Sequence, residues 1–320
     1  MPAIVYDRRF NLGFPGAQRL HPFDLRKYAR AWKVLRTELG SDLEKFHVLV
    51  PAPVTDEQLL LVHAVEYLKS LRQSAIVAQA IEVPALRRVP WWLLDRFVLL
   101  PMRWMAAGTI FAGRAALDRK LAFNLGGGFH HAKPASGEGF SIYNDVAVMV
   151  QVLRQEGRLA EESRIGYIDL DAHLGNGVAW CFRDDPRVFL FDMHNGAIYP
   201  MFDTIARDRV DCPIGLPRGC TGDRYLSLLR ERLPPFLDSI RRSAKVSLAI
   251  YNAGTDVLAG DELGGMALTM DDVLARDLFV LTTLREQGLP TAVLTSGGYS
   301  QQSYEAIART IVAAMRDDFA

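Results

Sequence analysis

The chain is poor in cysteine, with only Cys181, Cys212 and Cys220 among 320 residues. An odd count without C-x-x-C spacing argues against a disulfide framework and for free thiols in a reducing compartment. A surplus of either charge is also missing, since 37 Lys and Arg face 37 Asp and Glu. No net field therefore draws in nucleic acid or an anionic membrane. The first ten residues hold no apolar core of signal-peptide length, so export is not expected. The apolar stretch 89–114 is interrupted by Asp95, Arg96 and Arg103. No uncharged run approaches the roughly 20 residues that a spanning helix needs, and a buried helical segment is expected instead. There is no repeat, low-complexity tract or long Pro/Gly/Ser linker. These absences leave a soluble, cytoplasmic chain with no nucleic-acid partner and no transmembrane segment, and with its oligomeric state open.

Length alone would suggest about two domains. The polar clusters near 130, 171, 256 and 299 must converge to form one site, however, and that favours a single α/β domain over 1–320. Short apolar runs alternate with longer amphipathic ones, the pattern of βαβ units and a mostly parallel sheet. Strands are expected at His47–Val50, Leu121–Leu125, Ile165–Leu170, Val188–Phe191, Val246–Tyr251 and Thr291–Thr295. Several of these runs are apolar on both faces, as in strands covered by helices on either side. A helix is expected to start at Thr269-Met270-Asp271-Asp272, a capping-box-like sequence, and to stop at Gly288-Leu289-Pro290. Others are expected over Ser303–Met315 and Leu59–Gln73. Pro234-Pro235 looks like loop punctuation, and the first 25 residues are candidates for a rim or lid.

The chemistry gathers where apolar strands run out. In Asp169-Leu170-Asp171-Ala172-His173, alternation sends the three polar side chains to one side at roughly 6.6 Å intervals. That is the strand end at which open parallel sheets place their ligands. Burying such charges without a cation costs several kcal/mol each. Asp256 follows another strand through Asn252-Ala253-Gly254. Asp171, His173 and Asp256 together make a three-ligand site with an open position, as in hydrolytic zinc enzymes; ferrous iron would also suit the donors. Two aspartates leave a bound divalent ion with little net charge, so its water needs a neighbouring base. His130-His131, after Gly126-Gly127-Gly128-Phe129, is placed to supply one. Tyr299, after Ser296-Gly297-Gly298, can donate a hydrogen bond to a developing oxyanion.

These residues make the chain resemble the zinc-dependent histone deacetylases. The matching segments are Gly126–Ala132, Gly139-Phe140 with Asn144-Asp145, Asp169–Gly177, Gly254–Gly265 and Ser296–Tyr299. Details look most similar to the class IV branch: His21-Pro22-Phe23-Asp24, Asn176 in Gly-Asn-Gly, Tyr251–Asp256 and Ile198-Tyr199-Pro200. The resemblance implies an arginase/deacetylase fold, with a central parallel sheet of about eight strands and helices on both faces. It implies zinc on Asp171, His173 and Asp256, His131 as principal general base and later acid, and His130 as its electrostatic partner. Asp169 would orient His130 and help hold a structural monovalent cation, K+ or Na+. Tyr299 would polarise the scissile carbonyl, and Gly139 and Phe140 would line the tunnel around the lysine stem. Asn176 stands where many relatives have an aspartate, so it can orient His131 but brings no charge of its own. The implied reaction is hydrolysis of an Nε-acyl-lysine amide, acetyl or longer fatty acyl.

A dinuclear manganese ureohydrolase would need more carboxylates than Gly175, Asn252, Gly254 and Thr255 supply. A deacetylase of acetylpolyamines or other small acylated amines is a nearer rival. It would favour acidic residues at the rim, where Glu138 is the one that the motifs place. A zinc-binding scaffold without turnover would have no use for His130, His131 and Tyr299.

Overall fold

Four neighbouring parallel strands at the middle of the sheet send their C-terminal loops to one place, and this positions the candidate site. The computed structural model describes residues 1–13, 24, 26–241 and 246–316. Among these, eight strands form one sheet: β1 (Ala3–Val5), β2 (His47–Val48), β3 (Leu121–Asn124), β4 (Arg164–Asp169), β5 (Val188–Asn195), β6 (Cys212–Leu216), β7 (Val246–Asn252) and β8 (Thr291–Leu294). Their order is β2-β1-β3-β8-β7-β4-β5-β6, and every adjacent pair is parallel. The all-parallel sheet requires helical crossovers that cover its faces, which is why β3, β4, β7 and β8 are almost wholly buried.

All six expected strands are present with small shifts of boundary. Two strands were not foreseen. β1 has only three residues, and β6 is an edge strand that carries Pro213 and Gly215 on its exposed positions, where a missing N–H or side chain does little harm. Residues His21–Phe23 lie outside the described residues, as do 14–20 and 25 of the expected rim or lid; in its described part Ala3–Val5 is a buried sheet strand instead.

The helix from Thr269 is capped as expected, with the Thr269 side chain and Asp272 bonding reciprocally across its first turn, and it runs over Met270–Glu286. The Ser303–Arg316 helix also matches its expectation. The single helix expected over Leu59–Gln73 is instead two short ones, Asp56–Leu59 and Val65–Ser70. Tertiary bonds explain the break: the Ala64 N–H donates to the Pro134 carbonyl, and Nε2 of His63 accepts the Asn144 N–H. Pro234-Pro235 lies inside the Gly222–Arg241 helix rather than in a loop. There Leu229, Leu233, Phe236, Leu237 and Ile240 are buried along one side, and that packing outweighs the lost backbone bonds.

The stretch 89–114 is helical from Trp91 and largely buried from Leu94 onward, but Trp91 and Trp92 are 44% and 58% exposed. No helix among the described residues is long and apolar enough to cross a membrane. All three cysteines are free.

Candidate metal centre and active site

β3, β8, β7 and β4 are consecutive in the sheet. Their following loops carry His130-His131, Ser296–Tyr299, Asn252–Asp256 and Asp169–Asn176. Segments far apart in sequence are thereby brought together at one sheet edge.

One donor atom each from Asp171, His173 and Asp256 lies within 4.8 Å of the others, and all three residues are buried. Nδ1 of His173 is 3.2 Å from Asp171 Oδ1 and 2.9 Å from Asp256 Oδ2. The outer carboxylate oxygens are occupied by protein donors. Asp256 Oδ1 accepts the Ala172 N–H at 2.8 Å, and Asp171 Oδ2 accepts the Ser296 hydroxyl and the Gly297 N–H, both at 3.0 Å. A side chain at Gly297 would run into both carboxylates.

The electrostatics fit a divalent cation. Burial and the adjacent Asp171 push the Asp256 carboxyl up to about 7. Desolvation acts on Asp171 in the same direction, but the His130 and His173 rings outweigh it and hold that carboxyl well below the usual range. Burial opposes a charge on His173, but Asp171 and Asp256 overcome it and push the ring up to about 10. The cluster thus attracts positive charge at the place where a divalent ion would sit between the three donors.

Arg276, fully buried, supports the two ligand-bearing loops from below. Its Nη1 donates to the carbonyls of Leu170 at 3.0 Å and Gly254 at 2.7 Å. Nε bonds to Asp277 at 2.8 Å, and Asp277 in turn accepts the Tyr251 and Thr310 hydroxyls. Sequence reading missed this residue. The available signal was a charged pair, Arg276-Asp277, on the buried stripe of Val273, Val280, Leu281 and Leu284.

The two histidines stack with ring centroids 4.0 Å apart, yet their partners differ. Nδ1 of His130 meets Asp169 Oδ2 at 2.8 Å, and Asp169 also receives Tyr167 Oη at 2.7 Å and Asn252 Nδ2 at 2.9 Å. Burial opposes a charge on His130, but Asp169 and Asp171 overcome it and push the ring up to about 9. Nδ1 of His131 meets the neutral Asn176 Oδ1 at 2.8 Å. Burial, together with the His130 and His173 rings, pushes His131 well below the ordinary imidazole range. The two adjacent rings are therefore shifted in opposite directions.

The loop bearing both rings is anchored by Asp145, which accepts the Gly128 and Phe129 N–H groups at 2.9 and 2.7 Å. Gly128, at φ +75°, packs so closely on Asn252 and Ser296 that a Cβ would collide with both.

Tyr299 stands perpendicular to His173, with ring centroids 6.4 Å apart. Burial and the nearby Asp171 and Asp256 raise its phenol well above its ordinary value, so it stays a proton donor. Its loop is held from two sides. Asp261 accepts the Tyr299 and Ser300 N–H groups at 2.7 and 2.9 Å, while the buried Lys27 donates to the Ser296 carbonyl at 2.7 Å. Nothing in the sequence around Lys27 signals that role.

Gly139 and Phe140 both have positive φ, and the Phe140 ring lies 5.7 Å from that of Tyr299. The Phe140 N–H is bonded to the Ala80 carbonyl at 3.1 Å. Glu82 approaches the Gly139 backbone, and so joins Glu138 as an acidic group beside this segment. The Tyr199 ring packs edge-on to His131 at 5.1 Å.

Comparison with known proteins agrees with this geometry. The histone deacetylase domain profile matches residues 21–315. The chain is 39% identical over 309 residues to "Histone deacetylase 2" of Arabidopsis thaliana, covering 97% of this chain and 77% of the relative. It is 25% identical over 308 residues to "Acetoin utilization protein AcuC" of Staphylococcus xylosus, covering 90% and 75%. Among solved structures it superposes on an HDAC homolog complexed with SAHA at TM-score 0.74 and 24% identity, covering 98% of this chain and 83% of that one. The sheet and its helices are accordingly the arginase/deacetylase fold.

Proposed function

The chain belongs to the histone deacetylase family and is a hydrolase of amide bonds; from that premise we propose that a single catalytic domain removes acyl groups from Nε-acyl-lysine in a protein or peptide. The observation that carries this reading is the convergence of a buried Asp171–His173–Asp256 donor set with the His131 and Tyr299 rings, which pack against His173 with centroids 5.8 and 6.4 Å away. Asp171, His173 and Asp256 would hold zinc, with ferrous iron as the alternative, and such an ion supplies Lewis acidity that polarises the scissile carbonyl and acidifies water.

The chain's own residues do the rest. His131, with Nδ1 engaged by Asn176, keeps Nε2 for the proton of the attacking water and later returns that proton to the leaving lysine nitrogen. His130, held charged by Asp169, contributes positive charge beside the developing oxyanion. The Tyr299 hydroxyl donates to the carbonyl oxygen as negative charge builds on it. Gly139 and Phe140, with Tyr199 beside His131, enclose the lysine stem. A structural K+ or Na+ ion near Asp169 belongs to the same reading.

The likeness of Asn176, Tyr251–Asp256 and Ile198–Pro200 to the class IV branch supports long fatty acyl groups as substrates. Glu82 and Glu138 at the Gly139 segment favour a second reading, hydrolysis of a small cationic acylated amine. A panel of acetyl- to myristoyl-lysine peptides and acetylpolyamines separates the two. Acyl-lysine peptides should show the higher kcat/KM; turnover of the polyamines alone would overturn the first reading.

A further inference from the structure

The neutral partner of His131 is not isolated from charge. Asn176 opens the Asn176–Cys181 helix and is completely buried. While its Oδ1 meets His131, its Nδ2 is 2.6 Å from Glu138 Oε1 and 3.2 Å from Asp203 Oδ2. Lys133 Nζ joins the same two carboxylates at 3.1 and 2.9 Å. Asp203 is itself fixed, because it accepts the Ala206 N–H at the start of the Thr204–Arg209 helix and the Trp180 indole N–H at 3.0 Å. Lys133, Glu138, Asn176 and Asp203 are among the residues that line a pocket of about 460 Å³, together with Tyr199 and Phe202.

We propose that Glu138 and Asp203 are positioning residues that act on His131 through the side-chain amide of Asn176. This rests on the reading of His131 as the proton carrier. Ionised carboxylates only accept hydrogen bonds, so the amide nitrogen must face them and the amide oxygen must face His131. An amide oxygen also only accepts. His131 is thereby held as the Nδ1–H tautomer, with its lone pair on Nε2, the atom the reaction uses. The two carboxylates also polarise the amide, because hydrogen bonds to ionised groups are stronger than neutral ones and strengthen their neighbours in a chain. A charge that an aspartate would place against the ring is set one amide further out and balanced by Lys133. Glu138 and Asp203 are 38 residues before and 27 residues after Asn176, so the sequence alone gives no sign that they meet.

The zinc-loaded protein tests this through E138Q/D203N, since each replacement keeps the shape and asparagine still caps a helix. Glutamine or asparagine can turn its NH2 group towards Asn176, so neither residue any longer forbids the amide from flipping. The double variant should lose about tenfold to a hundredfold in kcat with KM changed by less than about twofold. In 15N-histidine-labelled protein, the His131 signals should move from one tautomer towards a mixture. Zinc content and cooperative unfolding, measured alongside, separate this from a folding defect.

Reciprocal rescue supplies a readout that a purely structural network would not give. N176D alone sets three carboxylates around Lys133 and should lower kcat, whereas N176D added to E138Q/D203N should restore it. An unchanged kcat and tautomer in E138Q/D203N, or an equal effect of N176D in both backgrounds, would overturn the proposal. H131A distinguishes the two levels. If H131A is inactive while E138Q/D203N is normal, only the positioning role falls; if H131A still turns over substrate, the reading of His131 falls with it.

Discussion

The two sides of the histidine pair are built on opposite plans. On the His130 side, Asp169, Asp171 and Asp256 are buried, and Arg276 bonds to the carbonyls beneath them. Charge there lies in direct contact with the ring. On the His131 side the contact is a neutral amide, the charges stand one group further away, and the network borders a pocket whose wall includes the 85% exposed Phe202. Direct contact with carboxylates in a dry site favours a permanently charged imidazolium. Contact with an oriented neutral amide leaves the adjacent imidazole free to gain and lose a proton. The proposed mechanism thus assigns two chemically identical side chains, adjacent in sequence, a stabilising role and a proton-transferring role from their surroundings alone.

The largest break in this contrast comes from the sealed side. Replacing Asp256 by Ala removes one of the two carboxylates proposed to hold the metal. The variant should fail to bind zinc at one equivalent by calorimetry and lose about a thousandfold or more in kcat/KM. Retained stoichiometric zinc would take Asp256 out of the site. Arg276→Met leaves Asp277 buried without its cation and the Leu170 and Gly254 carbonyls without their donor. Urea unfolding should show a loss of about 3–5 kcal/mol.

Tyr299→Phe deletes only a hydroxyl next to both sides. It should cost about 3 kcal/mol in the barrier, on the order of a hundredfold in kcat, with zinc content unchanged. The smallest effect is expected on the open side. Lys133→Met removes two partly solvated ion pairs and should change unfolding free energy by about 1 kcal/mol or less. A loss as large as that of Arg276→Met would erase the distinction between the two sides.

The Asp171–His173–Asp256 cluster and the histidine pair were legible because each member lies in a short contiguous motif at the end of an apolar strand. Alternation along the strand and chemistry at its end sit within a few residues of each other. The supporting residues were not legible, because each reaches the site from a distant element: Lys27 at the start of its own helix, Arg276 beneath the sheet edge, Asp203 from the loop after β5. The sheet was readable in its core strands and faded at β1 and β6, where three residues or an exposed Pro213 carry little pattern. The Leu59–Gln73 stretch has helical periodicity, but bonds from Ala64 to Pro134 and from His63 to Asn144 outweigh local preference. Pro234-Pro235 shows the reverse, with packing preserving a helix that local rules would end.

The most direct measurement is a zinc titration of chelator-stripped protein, following hydrolysis of an acyl-lysine peptide and bound metal together. Activity should be absent at the start and rise to a plateau at one zinc per chain. Turnover that persists in the stripped protein, or that fails to appear once one zinc is bound, would contradict a metal-dependent hydrolase built on Asp171, His173 and Asp256.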